Sequence, residues 1–170
     1  MYGGQLAITP WWGSDPNFVQ GGLELTTGVA TGDFEYARAT LLARLVVSLP
    51  SDMRLGLEAR AGGGWGGLTT QRMWYLGGPS SIRGYDPRRL SGSSFARARG
   101  ELERMYPFGS ISFFADVGWV GGCESYSFDD GLYSAGVGVS LLDGLLRLDS
   151  AWGLRKPRTL RLDLYLDAIL

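Results

Sequence analysis

Apolar and polar side chains alternate with a period of two along most of the chain. Leu55, Leu57, Ala59 and Ala61 fall on one face, and Arg54, Glu58 and Arg60 on the other. Further on, Ala96, Ala98, Gly100 and Leu102 oppose Arg97, Arg99, Glu101 and Glu103. Leu146, Leu148 and Trp152 oppose Arg147 and Asp149, and Leu160, Leu162, Leu164 and Leu166 oppose Arg161, Asp163, Tyr165 and Asp167. A helix repeats every 3.6 residues and would not sort these side chains into two faces. Turn residues divide the runs at Pro50-Ser51-Asp52, at Pro107-Phe108-Gly109-Ser110 and at Asp143-Gly144, the last being the strongest short hairpin signal. The pattern predicts strands over 3–10, 20–31, 34–49, 53–65, 94–106, 110–120, 132–142, 145–154 and 159–169, with the first the weakest. No helical pattern of useful length, low-complexity tract or linker interrupts it, so 1–170 reads as a single domain.

Two all-β readings fit alternation. In a soluble fold the apolar face forms the core; in a membrane barrel it meets lipid and the charged face lines the lumen. Several predicted strands reach the roughly 9–11 residues that a tilted strand needs to cross a bilayer. Their polar faces carry closely spaced charges of both signs, as in Arg97, Arg99, Glu101 and Glu103, which suits a wet lumen. Short turns also alternate with longer connections, at 66–93, 121–131 and 155–158. Short turns on one rim and long loops on the other mark outer-membrane barrels. The expected fold is therefore an all-β, antiparallel transmembrane β-barrel.

Composition narrows the chemistry. The chain has 27 glycines and 12% aromatic residues, which suits strands and tight turns. No apolar run approaches the roughly 20 residues of a transmembrane helix. A net charge of -1 gives no electrostatic pull toward nucleic acid. Histidine is absent, which removes Ser-His-Asp and Cys-His catalysis and histidine metal sites. Cys123 is the single cysteine, so no intrachain disulfide is possible; it sits in a loop-like stretch and reads as an idle thiol. No cofactor or metal is implied, and no enzyme is expected.

The long connection 66–93 contains Leu76-Gly77-Gly78-Pro79-Ser80-Ser81-Ile82-Arg83-Gly84-Tyr85. Behind it come Glu103, then Phe113-Phe114-Ala115-Asp116-Val117-Gly118, then Tyr133-Ser134-Ala135-Gly136-Val137-Gly138, and two closing strands. In order and spacing, from about residue 20 onward, this resembles the C-terminal barrel region of the BamA/TamA family of outer-membrane assembly factors, the bacterial surface antigen family. The resemblance implies about eight or nine C-terminal barrel strands with the long loop inserted in the lumen. Gly77, Gly78, Ile82, Arg83, Gly84 and Tyr85 would form the loop motif. Arg83 would be the tip, with Asp116 its best-matched wall partner and Glu103 the second. A guanidinium in a confined lumen loses hydration and needs bidentate carboxylates. Gly84 would allow a tight or positive-φ backbone, and Tyr85 would pack its ring on the wall. Arg88-Arg89 reads as a solvated loop pair, and Arg155-Lys156-Pro157-Arg158 as a solvated basic turn.

The function so implied is that of a Gram-negative outer-membrane barrel for protein insertion, assembly or translocation, with no covalent chemistry. The alternative is an anchor or secretion pore for a fused or partner passenger domain. The implied partners are outer-membrane lipids and unfolded outer-membrane proteins, or a secreted passenger. The family barrel has sixteen strands and periplasmic POTRA domains. Three explanations follow: the sequence is a piece of a longer chain whose first strands and POTRA domains lie elsewhere, it pairs with another chain, or it closes as a small barrel of eight or nine strands; the first is favoured. Met1-Tyr2-Gly3-Gly4-Gln5 is not a secretory signal, and the end Asp167-Ala168-Ile169-Leu170 departs from the family's terminal aromatic. The tryptophans, Trp11, Trp12, Trp65, Trp74, Trp119 and Trp152, are candidates for interfacial belts, with some packing in the loop or lumen instead.

Overall fold

The structure, a computed structural model, describes residues 2–14, 17–30, 34–122, 127–142, 145–156 and 158–166. It contains β1 (Tyr2–Ile8), β2 (Trp11–Ser14), β3 (Asn17–Ala30), β4 (Phe34–Leu49), β5 (Met53–Gly66), β6 (Trp74–Leu76), β7 (Leu90–Gly92), β8 (Ser94–Tyr106), β9 (Gly109–Gly121), β10 (Leu132–Leu141), β11 (Leu146–Gly153) and β12 (Leu160–Leu166). Every pairing is antiparallel, in the order β1-β3-β4-β5-β8-β9-β10-β11-β12, so each strand neighbours the next main strand in sequence. This is the meander expected of an up-and-down barrel, and the fold is the predicted barrel portion. Among the described residues β12 does not pair with β1, so the sheet has two edges.

The alternating runs form strands with bounds close to those predicted, and β4 and β8 coincide with the predicted 34–49 and 94–106. Asp143-Gly144 and Cys123 lie outside the described residues. Three short strands carried no period-two signal. β2 pairs with Asn17–Gln20 of β3, while β1 pairs with Leu23–Val29 of the same strand. The two are one edge strand broken at Thr9-Pro10. The Gly21 amide donates to the Pro10 carbonyl (3.0 Å) across the break. Proline cannot donate to a ladder and is tolerated at a sheet edge. β6 and β7 form a small hairpin inside the long loop, with Trp74 opposite Gly92 and Leu76 opposite Leu90.

The two faces of the sheet are inverted relative to a water-soluble protein. On the outer face Phe113, Leu57, Trp152, Leu162, Leu164 and Leu166 are exposed. On the inner face Asp116 and Asp149 are buried beneath the long loop, whose own Arg83 is buried against them. Large exposed apolar faces and buried charges are each costly in water, whereas lipid outside and a polar lumen inside satisfy both. Trp65 and Trp152 stand on the exposed outer face, Trp74 packs in the loop, and Trp119 is buried. The long-range core lies between the loop and the wall: Leu76, Ile82, Tyr85, Phe95, Val120 and Leu132, flanked by Trp74 and Leu90. No described helix is long and apolar enough to cross a membrane.

The loop spans the concavity. At one end Arg38 of β4 lies over the Trp74 ring, 3.9 Å from its centroid. At the other, Arg161 of β12 pairs with Asp86. The sheet therefore curls around the loop from β4 to β12.

Candidate functional site

The loop runs from Gly67 to Ser93 between β5 and β8, and its descent begins at Gly77 and Gly78. Both have positive φ, +112° and +96°, and press against the Asp86–Pro87 backbone: a Cβ on Gly77 would meet the Asp86 carbonyl oxygen at 2.2 Å. A tight local turn follows. The Gly77 amide donates to Ser81 Oγ (2.8 Å), the Ser81 amide to the Gly78 carbonyl (3.0 Å) and the Gly78 amide to the Ile82 carbonyl (3.1 Å). Arg99 on the wall donates to the carbonyls of Pro79 and Ser81, each at 2.9 Å, and Arg97 to that of Ser80. Wall arginines thus satisfy loop carbonyls that would otherwise be stranded in a confined space.

Ile82 is fully buried and points at Gly118 of β9. A Cβ on Gly118 would meet Ile82 Cδ1 at 2.8 Å and Leu76 Cδ1 at 3.1 Å, so the missing side chain is the seat for both.

Arg83 follows, 1% exposed. Its Nε donates to Asp116 Oδ2 (2.8 Å) and its Nη2 to Asp116 Oδ1 (2.7 Å), a bidentate fork, and its backbone amide adds a third bond to Oδ2 (3.0 Å). Nη1 donates to Glu101 Oε2 (3.0 Å) and lies 3.4 Å from Asp149 Oδ2. The guanidinium also stacks on Phe114, 3.4 Å from the ring centroid. Planarity and a fixed donor fork suit arginine to this place and exclude lysine.

Around this centre Arg99 Nε approaches Asp116 Oδ1 at 3.3 Å, and Arg147 pairs with Glu101 (2.7 Å) and Asp149 (2.9 Å). Three arginines, Arg83, Arg99 and Arg147, are matched by three carboxylates, Glu101, Asp116 and Asp149. The cluster is electroneutral, the condition under which buried charges are tolerable.

Gly84 has φ +82° and lies against the backbone of β11, and its carbonyl accepts from Thr159 Oγ1 (2.7 Å). Tyr85 is 1% exposed; its ring covers Gly153, and its hydroxyl donates to the Tyr133 carbonyl (2.9 Å) while accepting from the Arg155 amide (3.0 Å). Arg88 and Arg89 are exposed. In the basic turn Lys156 and Arg158 are exposed, Arg155 reaches the Gly131 carbonyl (3.2 Å), and Pro157 lies outside the described residues.

The structure brings Arg83 and Asp116 together but not Arg83 and Glu103. Glu103 pairs with Arg54, its register partner on β5 (Nε–Oε2 3.0 Å), and accepts from Ser110. The expectation for Glu103 is corrected by distance along the strand. It stands two positions beyond Glu101, about 6.6 Å at roughly 3.3 Å per residue, on the same face but nearer the short-turn rim. Glu101 takes the place expected of Glu103. Asp149 is a second wall partner that the sequence reading did not select; its inward parity was visible, but its reach to the loop depends on how far the sheet curls.

Comparison with known proteins agrees with this architecture. The Omp85 superfamily domain matches residues 13–162. No curated protein sequence matches the chain. Among solved structures, CdiB from Acinetobacter baumannii superposes with a TM-score of 0.71 at 21% sequence identity, over 94% of this chain. The chain spans 31% of the length of that protein, so the likeness concerns one portion of a larger protein.

Proposed function

The chain belongs to the Omp85 superfamily, and from that premise we propose that it is the C-terminal part of an outer-membrane barrel that assembles or translocates proteins. The observation that carries this reading is the loop tip held inside the wall by an electroneutral arginine–carboxylate cluster, in a sheet whose outer face is apolar. A loop docked in this way occupies the concave side of the sheet, against a charged wall. The proposed action is non-covalent: a barrel edge offers unpaired backbone groups to an incoming strand, which adds by β-augmentation. With no histidine in the sequence, Ser-His-Asp and Cys-His hydrolysis are not available to this chain. The proposed setting is the bacterial outer membrane. The proposed partners are its lipids, unfolded outer-membrane proteins, and the N-terminal strands and POTRA domains of a longer parent.

The test is reconstitution of the full-length protein in lipid vesicles with an unfolded outer-membrane protein. Faster appearance of folded, membrane-inserted substrate than in protein-free vesicles is expected. An unchanged insertion rate would sink the assembly reading.

A second reading, a secretion pore or anchor for a passenger domain, is supported by the inner face of β4 and β5. There Arg38, Arg44 and Arg60 have no carboxylate within ion-pair distance among the described residues. Such a wall suits a hydrated path along the loop. Passenger release from cells, lost when the barrel is deleted, would favour this reading.

A further inference from the structure

Asp149 meets two partners at one oxygen, one from β12 and one from the loop. Its Oδ2 accepts from the Tyr165 hydroxyl of β12 (2.6 Å) and faces Arg83 Nη1 of the loop tip (3.4 Å). Its Oδ1 accepts from Arg147 Nε (2.9 Å), and the residue is fully buried. The carboxylate therefore joins the last described strand to the loop through a single atom.

The connection is repeated nearby. Arg161 on β12 pairs with Asp86 in the loop, and Thr159, just before β12, donates to the Gly84 carbonyl (2.7 Å). The loop segment Arg83–Asp86 is thus held from three points between Thr159 and Tyr165. Among the described residues β12 pairs with β11 over seven residues.

Its inner face also carries a built-in repulsion. Asp163 stands directly opposite Asp149 in the β11–β12 register, and like charges at such positions weaken strand pairing. Asp163 Oδ2 is buried without a hydrogen-bond partner. Arg161 lies 3.4 Å from Asp163 Oδ1, and Arg83 and Arg147 offset Asp149. Withdrawal of Arg83 removes part of that offset and exposes the Asp149–Asp163 repulsion. Departure of β12 removes the Tyr165 bond that orients Asp149 toward Arg83.

We propose that Asp149 is a positioning residue through which β12 and the loop tip hold each other in place, so that loop release and β12 displacement are one event. This goes beyond the assembly or translocation reading and is independent of the cargo. Thermodynamic linkage then requires the effect to run both ways with equal strength.

The test uses the full-length protein in lipid vesicles, with Cys123→Ser as background. Loop position is read as the rate of protease cleavage within residues 67–93. The β11–β12 seam is read as disulfide yield between Leu148→Cys and Leu164→Cys, register partners on the outer face. Tyr165→Phe, which removes one hydroxyl, is expected to raise loop cleavage roughly five-fold or more, the scale of a coupling between sites. Arg83→Lys, which keeps the charge without the fork, is expected to lower the seam disulfide yield. The two substitutions together are expected to change each readout less than the sum of their separate effects, as residues sharing one partner do. Forming the disulfide first is expected to return cleavage in Tyr165→Phe toward wild type. Simple additivity, or a seam yield that Arg83→Lys leaves unchanged, would overturn the proposal. Loss of strand insertion or passenger release alone would bear on the function and not on this coupling.

Discussion

Gly84 and Gly153 meet backbone to backbone: a Cβ on Gly84 would lie 2.8 Å from the Gly153 amide nitrogen and 3.0 Å from the Trp152 carbonyl carbon. Gly84 also has φ +82°, a region that costs a non-glycine residue free energy. Two independent constraints thus fall on one residue. Gly84→Ala is expected to lift the loop tip from β11, and the adjoining Thr159 and Tyr85 bonds would go with it. Protease cleavage within residues 67–93 of the full-length protein should rise well above wild type. A cleavage rate equal to wild type would show that the tip tolerates a side chain, contrary to this packing.

The fork between Arg83 and Asp116 sets a second expectation. Asp116 is fully buried at its side chain and receives three bonds from Arg83. Asp116→Asn removes one charge and leaves three arginines, Arg83, Arg99 and Arg147, against two carboxylates, Glu101 and Asp149. Loss of one member of a buried pair costs about 3–5 kcal/mol, so the loop should detach or the barrel should lose stability by that order. Glu103→Gln touches the Arg54 pair and the Ser110 bond near the short-turn rim and should leave the loop docked. Urea titration with loop proteolysis on both variants checks this; equal loop exposure in the two would restore Glu103 as a loop partner.

The contrast between these two carboxylates shows which levels of the fold can be read from residues. Alternation located nine strands because a strand's two faces are a local property, and the inner face of the sheet holds the residues of predicted polar parity, such as Arg161, Asp163 and Tyr165. Asp116 was legible because it lies in a family-like stretch at a fixed spacing from the loop motif. Glu101 and Glu103 share a face, so parity cannot choose between them. The choice is made by the register Arg54↔Glu103 and by the depth to which the loop descends. Asp149 comes within reach of Arg83 only because the sheet curls across three strands, a long-range property that alternation does not carry. β2, β6 and β7 are too short, at four, three and three residues, to show a period at all.

Gly118 offers a test of the apolar half of the lock. Its missing side chain seats Ile82 and Leu76, with contact distances of 2.8 and 3.1 Å to a hypothetical Cβ. Gly118→Val would force both side chains away from β9, and Arg83, next in sequence to Ile82, would be drawn off Asp116. Overpacking of this kind costs about 1–3 kcal/mol. The expected outcome is partial loop exposure, smaller than in Asp116→Asn. Compensation by Ile82→Ala in the same chain should reduce the exposure, because the smaller side chain leaves room for the added one. Failure of that compensation would mean that Gly118 matters for the strand and not for the seat.

The outer face predicts a different kind of sensitivity. Phe113 is 62% exposed on β9 beside Phe114, which faces inward beneath the Arg83 guanidinium. If the outer face meets lipid, Phe113→Arg places a charge in hydrocarbon at a cost of about 2–4 kcal/mol near the bilayer midplane, falling toward the interfaces. Arg44→Gln changes an inner-face residue with no carboxylate partner among the described residues and should alter folding stability by much less. Folding of the full-length protein into vesicles, followed by urea titration, measures both. The same pair in detergent should differ less, because a micelle lets an added arginine reach water more easily than a bilayer does. Equal stabilities for Phe113→Arg and wild type in vesicles would place that face in water and reverse the assignment of inside and outside.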